Sequence, residues 1–387
     1  MGAAGRARGR GQDFAAITAF IAALVWPWAL KFLWAPLVDA LRGRWWGDRA
    51  WVLSMQGVMG LTLLPLAALD LQADRALVIG LLIGHALAAT IQDVAIDAWA
   101  IRITPKPEHG RLNAAMAVGK YIGRWLFGAG LLFVWDALGR GVIFGGLVAS
   151  IWATGALVLI AAPSPTAEAA LRQRLRAFGT SLGGALSRRA TWLGLGIALL
   201  SGAAFEALGA VAGPVMVQAG YATSEMAIVR SAWVAAMLLG AWLGGVIGDR
   251  VGHRRATGAA LLLIAALVAA VAALHAADAA ALTQAVAIGV VYVAIGVFIA
   301  VSYALFMDLT DPRIGGTQFS AFMGATNACE AWSAAAAGAL AAALGFAPGM
   351  LLMTAASLLA LPLLWGLREG EAGARIRHTS RSGRNGG

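Results

Sequence analysis

Lys31, Asp93, Asp97, Lys120, Arg124, Glu206 and Glu330 all stand inside long apolar stretches of this chain. Charge is costly in hydrocarbon, so such side chains face one another or a water-filled cavity, where they pair, hold polar solutes or exchange protons. At a rise of about 1.5 Å per residue, and counting from the basic ends of the stretches, Lys31, Asp93 and Lys120 share one depth, roughly 10 to 14 Å in. Asp97 lies one helical turn from Asp93 on the same face. Fixed ion pairs that knit helices together account for Asp93, Asp97 and Lys120 as well as a working polar network does. Arg124, Glu206 and Glu330 come out deeper, near 20 Å. There two acids share one local cation, which leaves one acid able to exchange a proton, so Glu206 and Glu330 are read as functional.

A second constellation is a repeat. LVDALRGRWWGDR at 37–49 is echoed by GGVIGDRVGHRR at 244–255. Each copy places an Asp, Asp39 or Asp249, at the end of an apolar segment, then a short loop with Gly and Arg, including Arg42 in the first and Arg250 and Arg254 in the second. A helix leaving a bilayer, a tight basic turn and an immediate return has this pattern, because Gly permits the turn and Arg holds the loop in water. Two copies in matching places of two halves point to a duplicated fold.

Other residue types are less informative. Cys329 is the single cysteine, so no internal disulfide or cysteine metal cluster is expected. HExxH and a phosphate-binding loop are both missing, which argues against an intramembrane enzyme or an ATP-driven pump and calls for no cofactor or metal. His85 is read as a hydrogen-bonded packing residue, and His109 and His275, at loop edges, as solvated. Trp34 and Trp99 stand near the first charged layer and are candidates to line a path.

The elements that must position these residues are membrane spans. With 60% hydrophobic residues and 12% charged in 387, the chain reads as an all-α polytopic membrane protein. Eleven spans are expected, at 14–38, 50–69, 76–101, 111–134, 141–162, 191–217, 226–247, 256–274, 281–307, 316–344 and 349–367. The second, fifth, eighth and eleventh contain no Asp, Glu, Lys or Arg. Charge-free helices can face lipid, so a period of three implies three-helix units with one peripheral member each. The expected division is a basic segment at 1–13, a five-helix bundle at 14–162, a linker at 163–190, a six-helix bundle at 191–367 and a disordered basic tail at 368–387. The linker, with Arg172, Arg174 and Arg176, suggests an amphipathic segment on an anionic membrane surface.

The net charge of +10 is not a nucleic-acid signal, because 20 of the 29 Lys and Arg residues fall in loops on one side. By the positive-inside rule that side, with the C-terminus, is cytoplasmic. Arg6, Arg8 and Arg10 then fall on the wrong side, which is read as a lost first helix; restoring one makes two six-helix halves. A signal peptide is disfavoured because the apolar run continues through Trp28 and Lys31 without a small-residue cleavage site.

Several strings resemble the major facilitator superfamily, in particular AmpG-like muropeptide permeases and their siderophore and acetyl-CoA transporter relatives. They are KFLWAPLVD at 31–39, QDVAIDAW at 92–99, GRLNAAMAVGKYIGR at 110–124, the loop at 244–255, LFMDLTDP at 305–312 and GTQFSAFMGATN at 316–327. The similarity runs over most of 14–367. It implies two pseudo-symmetric bundles and a rocker-switch transporter of the cytoplasmic (inner) membrane, usually proton-driven. In that resemblance Asp39, Arg42, Asp249, Arg250 and Arg254 would form a cytoplasmic gate, Lys31, Asp93, Asp97 and Lys120 the N-half network, and Gln318 and Asn327 would face the cavity. The expected partners are a small-molecule solute, protons and the lipid bilayer, with the chain acting as a monomer. Two departures are read from the resemblance: the family's first helix is expected to be missing, and Glu330 occupies a position where muropeptide permeases tend to carry a basic residue. Import of an anhydro-muropeptide leads. A siderophore or acyl-CoA solute, and a non-transporting sensor or truncated paralogue, are the alternatives.

Overall fold

The computed structural model describes residues 27–28, 30–43, 46–70, 73–124, 126–127, 130–160 and 170–367. Among them are helices and short turns, and no strand. The first group comprises α1 (Lys31–Leu41), α2 (Asp48–Leu63), α3 (Arg75–Ile103), α4 (His109–Arg124) and α5 (Gly130–Ile160). A short helix, α6 (Leu171–Ser187), leads to the second group. That group is α7 (Arg189–Leu200), α8 (Ala203–Gln218), α9 (Thr223–Val251), α10 (His253–Ala276), α11 (Ala281–Leu309), α12 (Gly315–Leu344), α13 (Phe346–Leu358) and α14 (Ala360–Trp365).

Eight stretches among the described residues are long and apolar enough to cross a membrane. The spans expected at 14–38 and 111–134 extend beyond the described residues, as do the segments 1–13 and 368–387. The span at 316–344 is one unbroken helix, α12, whose Gln318, Asn327 and Glu330 dilute its apolar character. The span at 191–217 is not one helix: Ser201 and Gly202 interrupt it between α7 and α8. The Ser201 carbonyl at this break accepts a hydrogen bond from the Ser357 hydroxyl of α13, so the interruption is held from a neighbouring helix.

Packing follows the charge pattern. The four helices built from charge-free spans make their main contacts within their own group: α2 with α3 and α5, α5 with α2, and α10 and α13 with second-group helices. The groups meet instead through the charge-bearing helices, α4 against α9 and α11, and α12 against α1 and α3. Within the second group, α9 and α11 approach so closely that a Cβ on Gly240 would lie 1.9 Å from the Val293 carbonyl oxygen, and one on Gly296 1.9 Å from that of Met237. Around this contact lies a large apolar core that includes Leu208, Met216, Ile264 and Ile288. A smaller core in the first group packs Val38, Val52, Val94 and Trp99.

Candidate functional site

The first charged layer forms as a partly buried triad. Lys31 Nζ on α1 donates to Asp93 Oδ2 at 2.9 Å and to Asp97 Oδ2 at 3.1 Å on α3. Lys31 and Asp97 are almost fully buried, whereas the Asp93 side chain keeps 43% of its exposure. One cation between two carboxylates one turn apart pins α1 to α3 while leaving an acidic edge open. Lys120 lies on α4 within electrostatic range of Asp97. Trp34 is half-buried and its indole N–H donates to the Pro27 carbonyl at 3.3 Å. Trp99 does not line a path: it is buried in the first-group core.

The second layer opens on a cavity of about 390 Å³ between the groups. Lys120 and Tyr121 contribute from α4, and Glu206, Tyr303, Asn327 and Glu330 from α8, α11 and α12. The helix break puts Gly202 into the wall, where an added Cβ would meet Cys329 Sγ at 3.2 Å and Glu206 Cγ at 3.4 Å. Aromatic rings of Phe205, Phe298 and Phe306 complete the lining. Tyr303 stands within electrostatic range of Lys31, Tyr121 and Glu206, between the two layers. Such a space, with a cation on one wall, two carboxylates on the other and aromatic faces between, suits a polar solute carrying both charges. Arg124 ends α4, and its side chain lies outside the described residues. Gln318, expected at the cavity, is buried elsewhere. Its amide holds the turn before α12 by accepting from Asp311 N at 2.8 Å and donating to Thr191 Oγ1 at 3.1 Å.

At the basic end, two carboxylates cap helices of the opposite group. Asp39 accepts from Thr317 N at 2.6 Å, Thr317 Oγ1 at 2.8 Å and Gly316 N at 3.3 Å, at the head of α12. Asp249 accepts from Gly110 N at 2.8 Å and from Arg111 N and Nε at 3.1 and 2.9 Å, at the head of α4. Helix N-termini present free N–H groups and positive partial charge, so each acid is a cap supplied across the interface. The close approach requires glycine: a Cβ on Gly110 would lie 2.6 Å from the Gly245 carbonyl, and one on Gly245 would lie 2.7 Å from that of Gly110.

Asp39 is served by a cation that was not expected, Arg102. Arg102 joins Asp39 at 2.6 Å and Asp48 at 2.5 Å, and also donates to the Pro312 carbonyl at 2.9 Å. Arg42 stands within electrostatic range of Asp39 and Asp48. Arg250 is exposed, and Arg254 bonds to the Leu367 carbonyl within its own group. Beside Pro312, burial pushes the Asp311 carboxyl up, but the hydrogen bonds and charge of Arg313 outweigh it and hold the group below the usual carboxylate range.

His109 is not solvated. It is 2% exposed, and its Nδ1 lies 2.8 Å from Asp308 Oδ1. His253 Nδ1 lies 2.7 Å from Asp308 Oδ2 and its Nε2 3.1 Å from Asp249 Oδ1. His275 is half-buried, 3.1 Å from Gln284 Oε1 and edge-on to Phe346. His85 bonds to the Met59 carbonyl at 3.2 Å, the packing role expected of it. Asp308 and His253 lie inside strings singled out in the sequence, but a carboxylate at a span end gives no sign of which imidazoles it will meet.

The fold is similar to that of solved transporters of the major facilitator superfamily. The chain superposes on the Escherichia coli fucose:proton symporter FucP with a TM-score of 0.73 over 92% of each chain at 13% identity. It superposes on the proton:xylose symporter XylE at 0.69, over 90% of this chain and 85% of that one at 11% identity. A bacterial homologue of the iron transporter ferroportin, in an outward-facing state, gives 0.65 at 15% identity over 90% of each chain. In sequence the similarity is to AmpG-type permeases. An AmpG 4 transporter of Rickettsia conorii is 24% identical over 267 residues, 63% of this chain and 61% of the relative. The anhydromuropeptide permease of Escherichia coli K12 is 26% identical over 236 residues, 59% of this chain and 48% of the relative. The chain thus matches about half to three-fifths of the length of these curated relatives. No family model matches it.

Proposed function

We propose that the chain is a secondary active transporter of the cytoplasmic membrane that carries a bulky polar solute inward with protons, an anhydro-muropeptide being the first candidate. The observation that carries this reading is the cavity between the two groups, lined by Lys120 from one and by Glu206, Asn327 and Glu330 from the other. It is supported by the reciprocal caps of Asp39 and Asp249, which close one end of the same interface. The closed end carries the excess Arg and Lys and is taken as cytoplasmic, with the C-terminus on that side. Glu206 and Glu330 are the proposed proton carriers, with Asp93 and Asp97 paired to Lys31 as the supporting network. Lys120 and Asn327 are proposed to meet the solute, and Arg124 to lie on the same path. Alternating access then consists of breaking the caps at one end while the other closes over the solute.

The test is uptake into proteoliposomes of the full chain, driven by an imposed inward proton gradient, with radiolabelled anhydro-muropeptide, a ferric siderophore and an acyl-CoA as parallel solutes. Gradient-dependent accumulation of the muropeptide alone is expected, and Glu206→Gln should lose the gradient dependence while inserting normally. Accumulation of another solute reassigns the substrate. No accumulation of any, by protein that is folded and inserted, would sink the transport reading and favour a non-transporting role.

A further inference from the structure

Of the chain of side chains Asp249, His253, Asp308 and His109 at the closed end, only Asp249 has a part in the function above, as a helix cap. His109, His253 and Asp308 are buried and the Asp249 side chain is 6% exposed, and the chain crosses the interface: His109 belongs to the first group and the other three to the second. Its hydrogen bonds can be counted by valence. A carboxylate oxygen only accepts, so each imidazole nitrogen facing one must carry a proton. His253 faces Asp308 Oδ2 with Nδ1 and Asp249 Oδ1 with Nε2, at 2.7 and 3.1 Å. A neutral imidazole has one N–H and cannot donate to both. The closed arrangement therefore contains one proton more than two ionised acids and two neutral histidines would hold, whether it resides on His253 or is shared with a carboxylate.

We propose that this cluster is a proton-binding site that latches the cytoplasmic end, closed when occupied from the cytoplasm and released when empty. The proposal rests on the reading that the two groups rock apart. The tight turn that builds the site is specific: Gly252 takes φ 97°, which brings His253 back over Asp249 one turn earlier. Asp249 in turn caps α4 through Gly110 and Arg111, so the residue that His253 steadies is the one that holds the opposite group. Removing the proton leaves a lone pair against a carboxylate at one of the two contacts and lets Asp249 and Asp308 repel. Both bonds across the interface, Asp249 to α4 and Asp308 to His109, lose their geometry together.

The charged surroundings do not already supply that proton. Lys106 donates to the Asp308 backbone carbonyl rather than to its carboxylate, at 2.8 Å. Arg111 serves Asp249 from the exposed side, and Arg254 and Arg255 extend along α10, Arg254 bonding to the Leu367 carbonyl. Among the other helices packed on α10, α13 and α14 carry no ionisable side chain and α8 only Glu206, in the cavity. An imidazole between acids is the one group here whose ordinary titration range brackets cytoplasmic pH. The sign follows. The favourable contact exists while the proton is bound and is lost as pH rises, so an acid cytoplasm holds the inner end shut and limits further proton entry.

The experiment is a spin-label distance measurement across the latch, on the full chain in nanodiscs without solute. Pro107→Cys and Val251→Cys, both exposed and on opposite groups, carry nitroxides in a Cys329→Ser background. The short-distance population is expected to fall about threefold or more between about pH 5.5 and about pH 8.5, and His253→Gln, which keeps a donor but cannot titrate, should remove this dependence. An unchanged distribution in the unsubstituted latch, or a pH response retained in His253→Gln, overturns the proposal. Should His253→Gln not yield monodisperse protein, His109→Gln replaces it: a weakened response supports the site, and an undiminished one overturns it. Because no solute is present, this outcome is independent of uptake.

Discussion

Asp39 and Asp249 cap each other's half of the molecule. Asp39 sits at the end of α1 and receives the N–H groups heading α12, while Asp249 sits near the end of α9 and receives those heading α4. The repeat seen in the sequence is thus a reciprocal bond. Neither acid stabilises its own loop foremost; each ties down the first turn of a helix across the interface, where a charge-assisted bond to free N–H groups is strongest.

Asp39→Asn keeps the shape but removes the charge that Arg102 and three donors face. It should weaken the closed end by about 1.5 to 3 kcal/mol, enough to expose the interface from that end. Nitroxide distances across that end, read as above, should lengthen, and Asp249→Asn should do the same. An unchanged distance in both would refute the cap as a latch.

Two glycines separate conformational bias from folding. Gly245→Ala places a methyl 2.7 Å from the Gly110 carbonyl, between the groups, and should open the closed end while leaving a cooperative unfolding transition. Gly240→Ala drives a methyl to 1.9 Å from the Val293 carbonyl inside one group and should cost the fold itself, seen as loss of monodisperse protein in detergent.

Lys31→Met strands Asp97 beside Asp93 in a buried site. Breaking one side of such a pair costs about 3 to 5 kcal/mol, so a marked fall in Tm is expected. Combining it with Asp97→Asn should restore part of that loss. If the double variant is no more stable than Lys31→Met alone, the triad is not the reason α1 is held to α3.

Gln318 and Asn327 should diverge. Gln318→Ala orphans the Asp311 N–H and should lower stability by about 1 to 3 kcal/mol without altering the KM of whichever solute is transported. Asn327→Ala removes a cavity side chain and should raise KM with little change in Tm. Ser357→Ala is the matching test of the helix break, since it orphans the Ser201 carbonyl: a loss of about 1 to 3 kcal/mol is expected by thermal unfolding.

The sequence by itself determined the class and the inventory. Apolar length forces helices, the cost of charge in hydrocarbon turns Lys31, Asp97 and Glu206 toward protein or cavity, and charge-free spans keep to their own group. Such rules act on one residue or one period at a time, so they survive without knowledge of partners. Pairing does not. That Asp39 takes Arg102 from α3, that Gln318 turns to Thr191 instead of the cavity, and that Trp99 enters the core all depend on which helices lie side by side. His109 and His253 make the point most clearly. Neither local string names a partner: His109 meets Asp308 only because α4 docks against α9 and α11, and His253 only because α10 packs against α11.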